Sequence, residues 1–160
     1  MKKDKFILTI ANSEMHYNDA MQLFQEYANS LNISLDFQHF DEELKIISTM
    51  YGPPDGHLII VYTEDTAIAC AAYRKIEEGI CEVKRMYVKP SYRKEQIGDK
   101  MLSELITKAT LSGYKLMRLD TLDSMIPAIT LYKKHGFHEI DAYYFNPNKN
   151  TVYMEKPLID

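Results

Sequence analysis

Residues 81–113 read CEVKRMYVKPSYRKEQIGDKMLSELITKATLSG. Up to Val88 the run is apolar and β-prone, so with Ile80 it reads as a strand that ends before Pro90. From Ile97 onward, Ile97, Met101, Leu102, Leu105, Ile106 and Ala109 recur at helical spacing on one side. Lys100, Glu104 and Lys108 lie opposite or at the margin, and Gly113 closes the helix. Between strand and helix stands a basic turn, Arg93-Lys94-Glu95-Gln96-Ile97-Gly98. A helix opening directly after such a turn aims unpaired backbone N–H groups, and the positive end of its dipole, at whatever sits there. That arrangement suits a phosphate, although in isolation it also reads as an ordinary strand-to-helix connection.

Working outward, Tyr114 to Thr121 is a further strand. After a helix of this length it can lie parallel to the Ile80 strand, which makes a right-handed βαβ crossover. Upstream, His57 to Tyr62 and Ala67 to Lys75 join Ile80 to Val88 through short turns as an antiparallel meander. Lys5 to Ala11 is a first strand, and Asn12-Ser13-Glu14 supplies caps for a helix over about Glu14 to Leu31. A second helix is expected from Asp41, as its cap, through Met50. Tyr51-Gly52-Pro53-Pro54-Asp55-Gly56 stops it, because neither proline can continue the ladder. Downstream, Asp123 or Ser124 caps a helix with Pro127 in its first turn, until Gly136. Phe137 to Phe145 and Thr151 to Lys156 read as two closing strands joined by a turn at Asn146 to Asn150. The expectation is an α+β chain with a mixed sheet of six to seven strands and about four helices.

Composition narrows the class. The chain has 160 residues, enough for one domain over residues 5–160 with about 70% of its surface buried and no need of a disulfide or metal. Hydrophobic content of 46%, charge of 26% and only six glycines and six prolines belong to a globular protein. A net charge of -4 with dispersed Lys and Arg argues against nucleic acid. No run approaches 18 apolar residues, and the N-terminal apolar stretch is too short for a signal peptide, so a cytoplasmic location and no membrane partner are expected. Cys70 and Cys81 fall in one expected hairpin turning at Glu77-Glu78-Gly79, out of register with each other, so neither a disulfide nor a zinc site is expected. His135 and His138 flank a helix end and read as solvated or capping residues.

The run VKRMYVKPSYRKEQIGDKMLSEL resembles the coenzyme-A-binding motif of the GNAT superfamily of N-acetyltransferases, here as Val88-x-Pro90-x-Tyr92-Arg93 followed by Gln96-x-Gly98. LDTLDSMIPAITLYKKHGFHEI is similar to the family's next motif, matching at Ala128, Leu131, Tyr132, Gly136 and Phe137. Both regions stand in the expected order. The resemblance covers Ile80 to Ile140 by residues, and nearly the whole chain by the order of its elements. It implies a GNAT-like acyl-CoA N-acyltransferase fold, acetyl-CoA as co-substrate, an amine acceptor and no metal. Members are often dimers, so a homodimer is among the assemblies it implies. One departure stands out: the family usually has Gly where this chain has Lys94 and Gln96, so unusual backbone angles there are not expected to come easily.

The resemblance assigns coenzyme contacts to the backbone of Met86, Tyr87 and Val88, along which the pantetheine arm would lie like an added strand. It assigns the phosphates to Arg93, Lys94, Glu95, Gln96, Ile97, Gly98 and Asp99. Tyr132 is expected beside the thioester as a hydrogen-bond donor to the departing sulfur. A phenol of pKa about 10 facing a thiol near 8.5 is a donor rather than a full acid. Glu82 is the first candidate for general base, taking the amine proton through one water; an exposed strand glutamate is the plainer reading. Tyr51, Asp36, His39 and Tyr144 lie in segments that wall the acceptor site in the family. The leading function is acetyl transfer from acetyl-CoA to a primary amine of a small molecule or peptide. The alternative is a non-catalytic acyl-CoA sensor with the same fold.

Overall fold

Odd and even residues of the central strands face opposite layers, and that period of two builds the molecule. The computed structural model describes residues 5–31 and 40–158, with the side chains of residues 40 and 41 excepted. The elements run β1 (Ile7–Ile10), α1 (Glu14–Ser30), α2 (Phe40–Lys45), α3 (Ile47–Met50), β2 (His57–Thr63), β3 (Thr66–Glu77) and β4 (Ile80–Val88). A 3-10 turn at Pro90–Tyr92 precedes α4 (Ile97–Leu111), β5 (Leu116–Leu122), α5 (Ile126–Lys134), β6 (His138–Ile140) and β7 (Thr151–Pro157). One seven-stranded sheet has the order β1-β2-β3-β4-β5-β7-β6. Among the described residues only β4 and β5 pair in parallel, across the α4 crossover; the other neighbours are antiparallel.

Ile59, Val61, Ala71, Tyr73 and Val83 turn to one face, where Met101, Leu102 and Leu105 of α4 bury them. Leu58, Ile60, Cys70 and Ala72 turn to the other, under Leu23 and Phe24 of α1. Helix α1 starts where Ser13 Oγ accepts a hydrogen bond from the His16 backbone N–H at 3.2 Å. Cys70 lies opposite Tyr87 and Cys81 opposite Lys75, and both thiols are free.

Several expectations are corrected. The helix expected over Asp41 to Met50 is two short pieces, α2 and α3, because Ile46 between them leaves the helical region at φ -121°. With this split the described residues hold five helices, and the expected mixed α+β sheet of six to seven strands is present. Met125, not Asp123 or Ser124, occupies the N-cap of α5, and no side chain bonds there. The strand expected over Phe137 to Phe145 is only the three residues of β6. Residues 141–145 leave the sheet because the hydroxyls of Tyr143 and Tyr144 bond carboxylates on β4 and β5. Those bonds hold the segment across the sheet face instead of along its edge.

Candidate active site

The site begins with a fault in β4. Lys84 stands opposite Ala72 and Tyr87 opposite Cys70, so Arg85 and Met86 together face the single residue Ala71. This is a β-bulge, and Arg85 in it has φ +58°, a left-handed conformation that a non-glycine residue holds only under constraint. Arg85 Nε and Nη2 donate to the Glu43 carboxylate of α2 at 2.8 and 2.9 Å, with both side chains only 3% exposed. The Cys70 thiol donates to the Arg85 carbonyl at 3.2 Å. Below the bulge, β4 pairs with β5 at Ile80, Cys81 and Glu82 only. From Val83 to Val88 that edge of β4 has no strand beside it among the described residues, so its backbone groups, apart from the Arg85 and Val88 carbonyls that accept from Cys70 and Arg93, are left to an extended ligand.

A groove of about 710 Å³ runs along this edge to the start of α4. Met86, Tyr87, Val88, Arg93, Lys94, Gln96, Ile97, Gly98 and Asp99 line it, facing Pro127, Ala128 and Leu131 of α5. Its size is that of a pocket for a sizeable organic ligand. Lys94 and Gln96 have φ +71° and +62°. The two residues lacking the family's glycine thus adopt glycine's conformation anyway, contrary to expectation. The alternation curls the turn into a nest of N–H groups before the helix. Among the described residues no acceptor takes the N–H of any residue from Lys94 to Asp99. Gly98 faces Leu131 of α5, where a Cβ would make an ordinary contact with Leu131 Cδ2 at 3.4 Å. Arg93 folds back to donate to the Val88 carbonyl at 3.0 Å. Glu95 does not line the groove, and its carboxylate pairs with exposed Lys5 at 3.4 Å.

A smaller cavity of about 100 Å³ adjoins this groove, the two sharing Tyr27, Met86, Met125 and Ala128 as walls. Tyr132, Lys84, Arg85, Asp120, Asn146 and Asn148 also line it. Tyr132 is 7% exposed, and its hydroxyl donates to the Met86 thioether sulfur at 3.9 Å. Burial, together with the fields of Tyr27 and Asp120, raises its pKa well above the ordinary phenol value, so it stays protonated as a donor.

Glu82 is not an exposed strand residue: it is 1% exposed. Its Oε1 accepts from Arg74 Nε at 3.1 Å and pairs with Lys84 Nζ at 3.4 Å, while Oε2 accepts from the Tyr143 hydroxyl at 2.6 Å. Asp120 on β5, which sequence reasoning passed over, accepts at Oδ2 from Tyr144 at 2.6 Å and Asn146 Nδ2 at 3.5 Å. Its signal was there: Arg118 and Asp120 alternate with Met117 and Leu119 as Glu82 and Lys84 alternate with Cys81 and Val83, which puts charges from adjoining strands on one face. Tyr51 does not wall the cavity; it is fully buried with its ring 5.7 Å from that of Phe24. Asp36 and His39 lie outside the described residues. His135 Nε2 sits 2.6 Å from Asp99 Oδ1, which ties the end of α5 to the first turn of α4. Together with Lys134 it holds the Asp99 carboxyl below its ordinary range. Among the described residues no group of His, Cys, Asp and Glu gathers as metal ligands, and no helix is long and apolar enough to cross a membrane.

Comparison with known proteins gives this geometry a family. The model of the acetyltransferase (GNAT) family matches residues 17–137. An uncharacterized N-acetyltransferase of Schizosaccharomyces pombe is 37% identical over 156 residues, covering 96% of each chain. The crystal structure of a GNAT-family acetyltransferase of Staphylococcus aureus superposes with a TM-score of 0.80 at 19% identity, over 96% of this chain and 99% of that one. The PaiA N-acetyltransferase of Thermoplasma acidophilum, solved in complex with coenzyme A, gives 0.71 at 18% identity over 94% and 99%. By family model, full-length relative and fold alike, the chain belongs to the GNAT family of acetyltransferases.

Proposed function

We propose that residues 5–160 act as one domain that transfers the acetyl group of acetyl-CoA to a primary amine of a small molecule or peptide, by direct attack in a ternary complex. One observation carries the reading. The groove that holds the N–H nest and the open edge of β4 meets, at Met86 and Ala128, the cavity that holds Tyr132. A pyrophosphate on the amides of residues 94–99 and a pantetheine arm along Met86 to Val88 would bring a thioester to that junction. There a backbone N–H of β4 supports the oxyanion, and Tyr132 donates to the leaving sulfur, as it already donates to the sulfur of Met86. The amine must lose a proton before it attacks. Asp120 lines the cavity and can take it, while Glu82, the first candidate by sequence, is buried beside it and lines neither cavity.

The solved neighbour bound to coenzyme A supports the choice of co-substrate. The reading of a non-catalytic acyl-CoA sensor rests on the absent glycines, and it weakens because Lys94 and Gln96 keep the left-handed turn without them. The test is release of coenzyme A thiol from acetyl-CoA across a panel of amines, with calorimetric binding of acetyl-CoA alongside. Millimolar acetyl-CoA that fails to bind overturns the proposal.

A further inference from the structure

Charges around the smaller cavity are paired, with one exception. Arg85 is matched by Glu43 and Lys84 lies against Glu82, while Asp120 has no cation within ion-pair distance among the described residues. Its Oδ2 is held by Tyr144 and Asn146, and its Oδ1 has no hydrogen-bond partner among the described residues. Asn146 is fixed in turn, because its Oδ1 accepts the Asn148 backbone N–H at 2.8 Å. Tyr27 and Tyr132 stand in the same cavity wall as Asp120. A carboxylate with one oxygen immobilised and one left over, among aromatic rings, makes a seat for a cation.

We propose that Asp120 receives the acceptor's ammonium group and takes its proton, and that the acceptor is a primary alkylamine with no carboxylate on the carbon that bears nitrogen. This rests on the acetyl-transfer reading above. Glu82 is less suited to the task, since Arg74, Lys84 and Tyr143 occupy both its oxygens. The ammonium gives one proton to Asp120 Oδ1, directly or through one water. The freed nitrogen pair forms the C–N bond at the thioester carbon, and the C–S bond breaks with its electron pair on sulfur. The nitrogen's second proton ends on that sulfur as the coenzyme thiol, and Asp120 returns the first to solvent. A carboxylate on the same carbon would enter beside Asp120, where the cationic side chains Lys84 and Arg85 already face carboxylates of their own.

The probes are n-butylamine and norvaline, which differ only by a carboxylate on the nitrogen-bearing carbon. Binding to the full chain saturated with coenzyme A is followed by saturation-transfer NMR. The wild type binds butylammonium more tightly than norvaline by about tenfold or more, the scale of one hydrogen bond to a charged group. Asp120→Asn, which keeps the shape and an acceptor for Tyr144, weakens butylammonium by a similar factor and keeps its affinity for coenzyme A. With acetyl-CoA and butylamine, its thiol release falls by about 100-fold, whereas Glu82→Gln falls less. Equal binding of butylammonium by Asp120→Asn, preference of the wild type for norvaline, or no butylammonium binding to the coenzyme-loaded wild type would each overturn the inference. If coenzyme A itself does not bind the wild type, it is the acetyl-transfer reading that fails, and this one falls with it. The comparison of the two probes needs only the wild type, so it stands even if the variant does not fold.

Discussion

Replacing Gln96 by glycine tests the phosphate turn most directly. Gln96 sits at the N-cap of α4 with φ +62°, and its side chain makes no capping hydrogen bond. Truncating it therefore loses no capping contact. A left-handed conformation costs an L-residue about 1–2 kcal/mol, which glycine avoids. Glycine gives back roughly 0.5–1 kcal/mol through the greater freedom of its unfolded chain. The difference leaves Gln96→Gly more stable by about 0.5–1 kcal/mol, or a rise of about 2 °C in melting temperature for a chain of this size. Gln96→Ala is the control: it removes the same side chain and keeps the penalty, so it gains nothing. Both are measured by thermal denaturation, and by coenzyme A titration, in which Gln96→Gly binds at least as tightly as the wild type. Lys94→Gly should gain similar stability but lose a charge at the turn, and with it coenzyme affinity. If Gln96→Gly melts no higher than Gln96→Ala, the left-handed strain inferred here is absent.

Tyr132→Phe removes only a weak bond to Met86 sulfur, so its stability should match the wild type within about 1 kcal/mol. Its turnover should fall by about 10- to 100-fold with acetyl-CoA binding kept; unchanged turnover removes Tyr132 from the chemistry. Glu43→Gln breaks the buried bidentate pair with Arg85 and should cost about 3 kcal/mol in urea unfolding. A loss under about 1 kcal/mol would mean that the bulge does not depend on that pair. Burial, then the charge of Lys108, holds His57 below its ordinary pKa of 6.5. Protons thus favour the unfolded chain as pH drops below about 6.5, and the loss levels off only beneath the lowered folded value. His57→Phe, which keeps the ring beside Tyr73, should flatten that part of the stability curve relative to the wild type.

What the sequence made legible was what local periodicity encodes. The apolar, β-prone runs between short turns in residues 57–88 and the three-and-four spacing of Ile97 to Ala109 locate the central strands and α4 to within a few residues. The parallel placement of the Tyr114 strand beside the Ile80 strand followed from the intervening helix, and the structure sets the register at Ile80 with Leu116. The misread places are those where a distant partner decides. Asp141 to Phe145 is β-prone by its tyrosines, yet their hydroxyls answer to Glu82 and Asp120 from 61 and 24 residues away. The helix after residue 40 breaks at Ile46, and no glycine or proline marks the break. Glu82 looks like a surface residue, and only the fold brings Arg74, Lys84 and Tyr143 around it. At Lys94 and Gln96 the lack of glycine argued against left-handed angles, and the demands of the turn prevailed.

Tyr143 and Tyr144 are neighbours in the chain, yet one is anchored to β4 and the other to β5, each through a 2.6 Å bond. With Tyr153 their rings form a triangle whose sides lie between 5.3 and 5.6 Å. The pair works as a two-pronged brace over the place where main-chain pairing between those strands gives out. Drawing the two strands apart there would cost at least one of these hydrogen bonds. Two adjacent residues thus bridge, from one face, the gap that opens between β4 and β5 beyond Glu82.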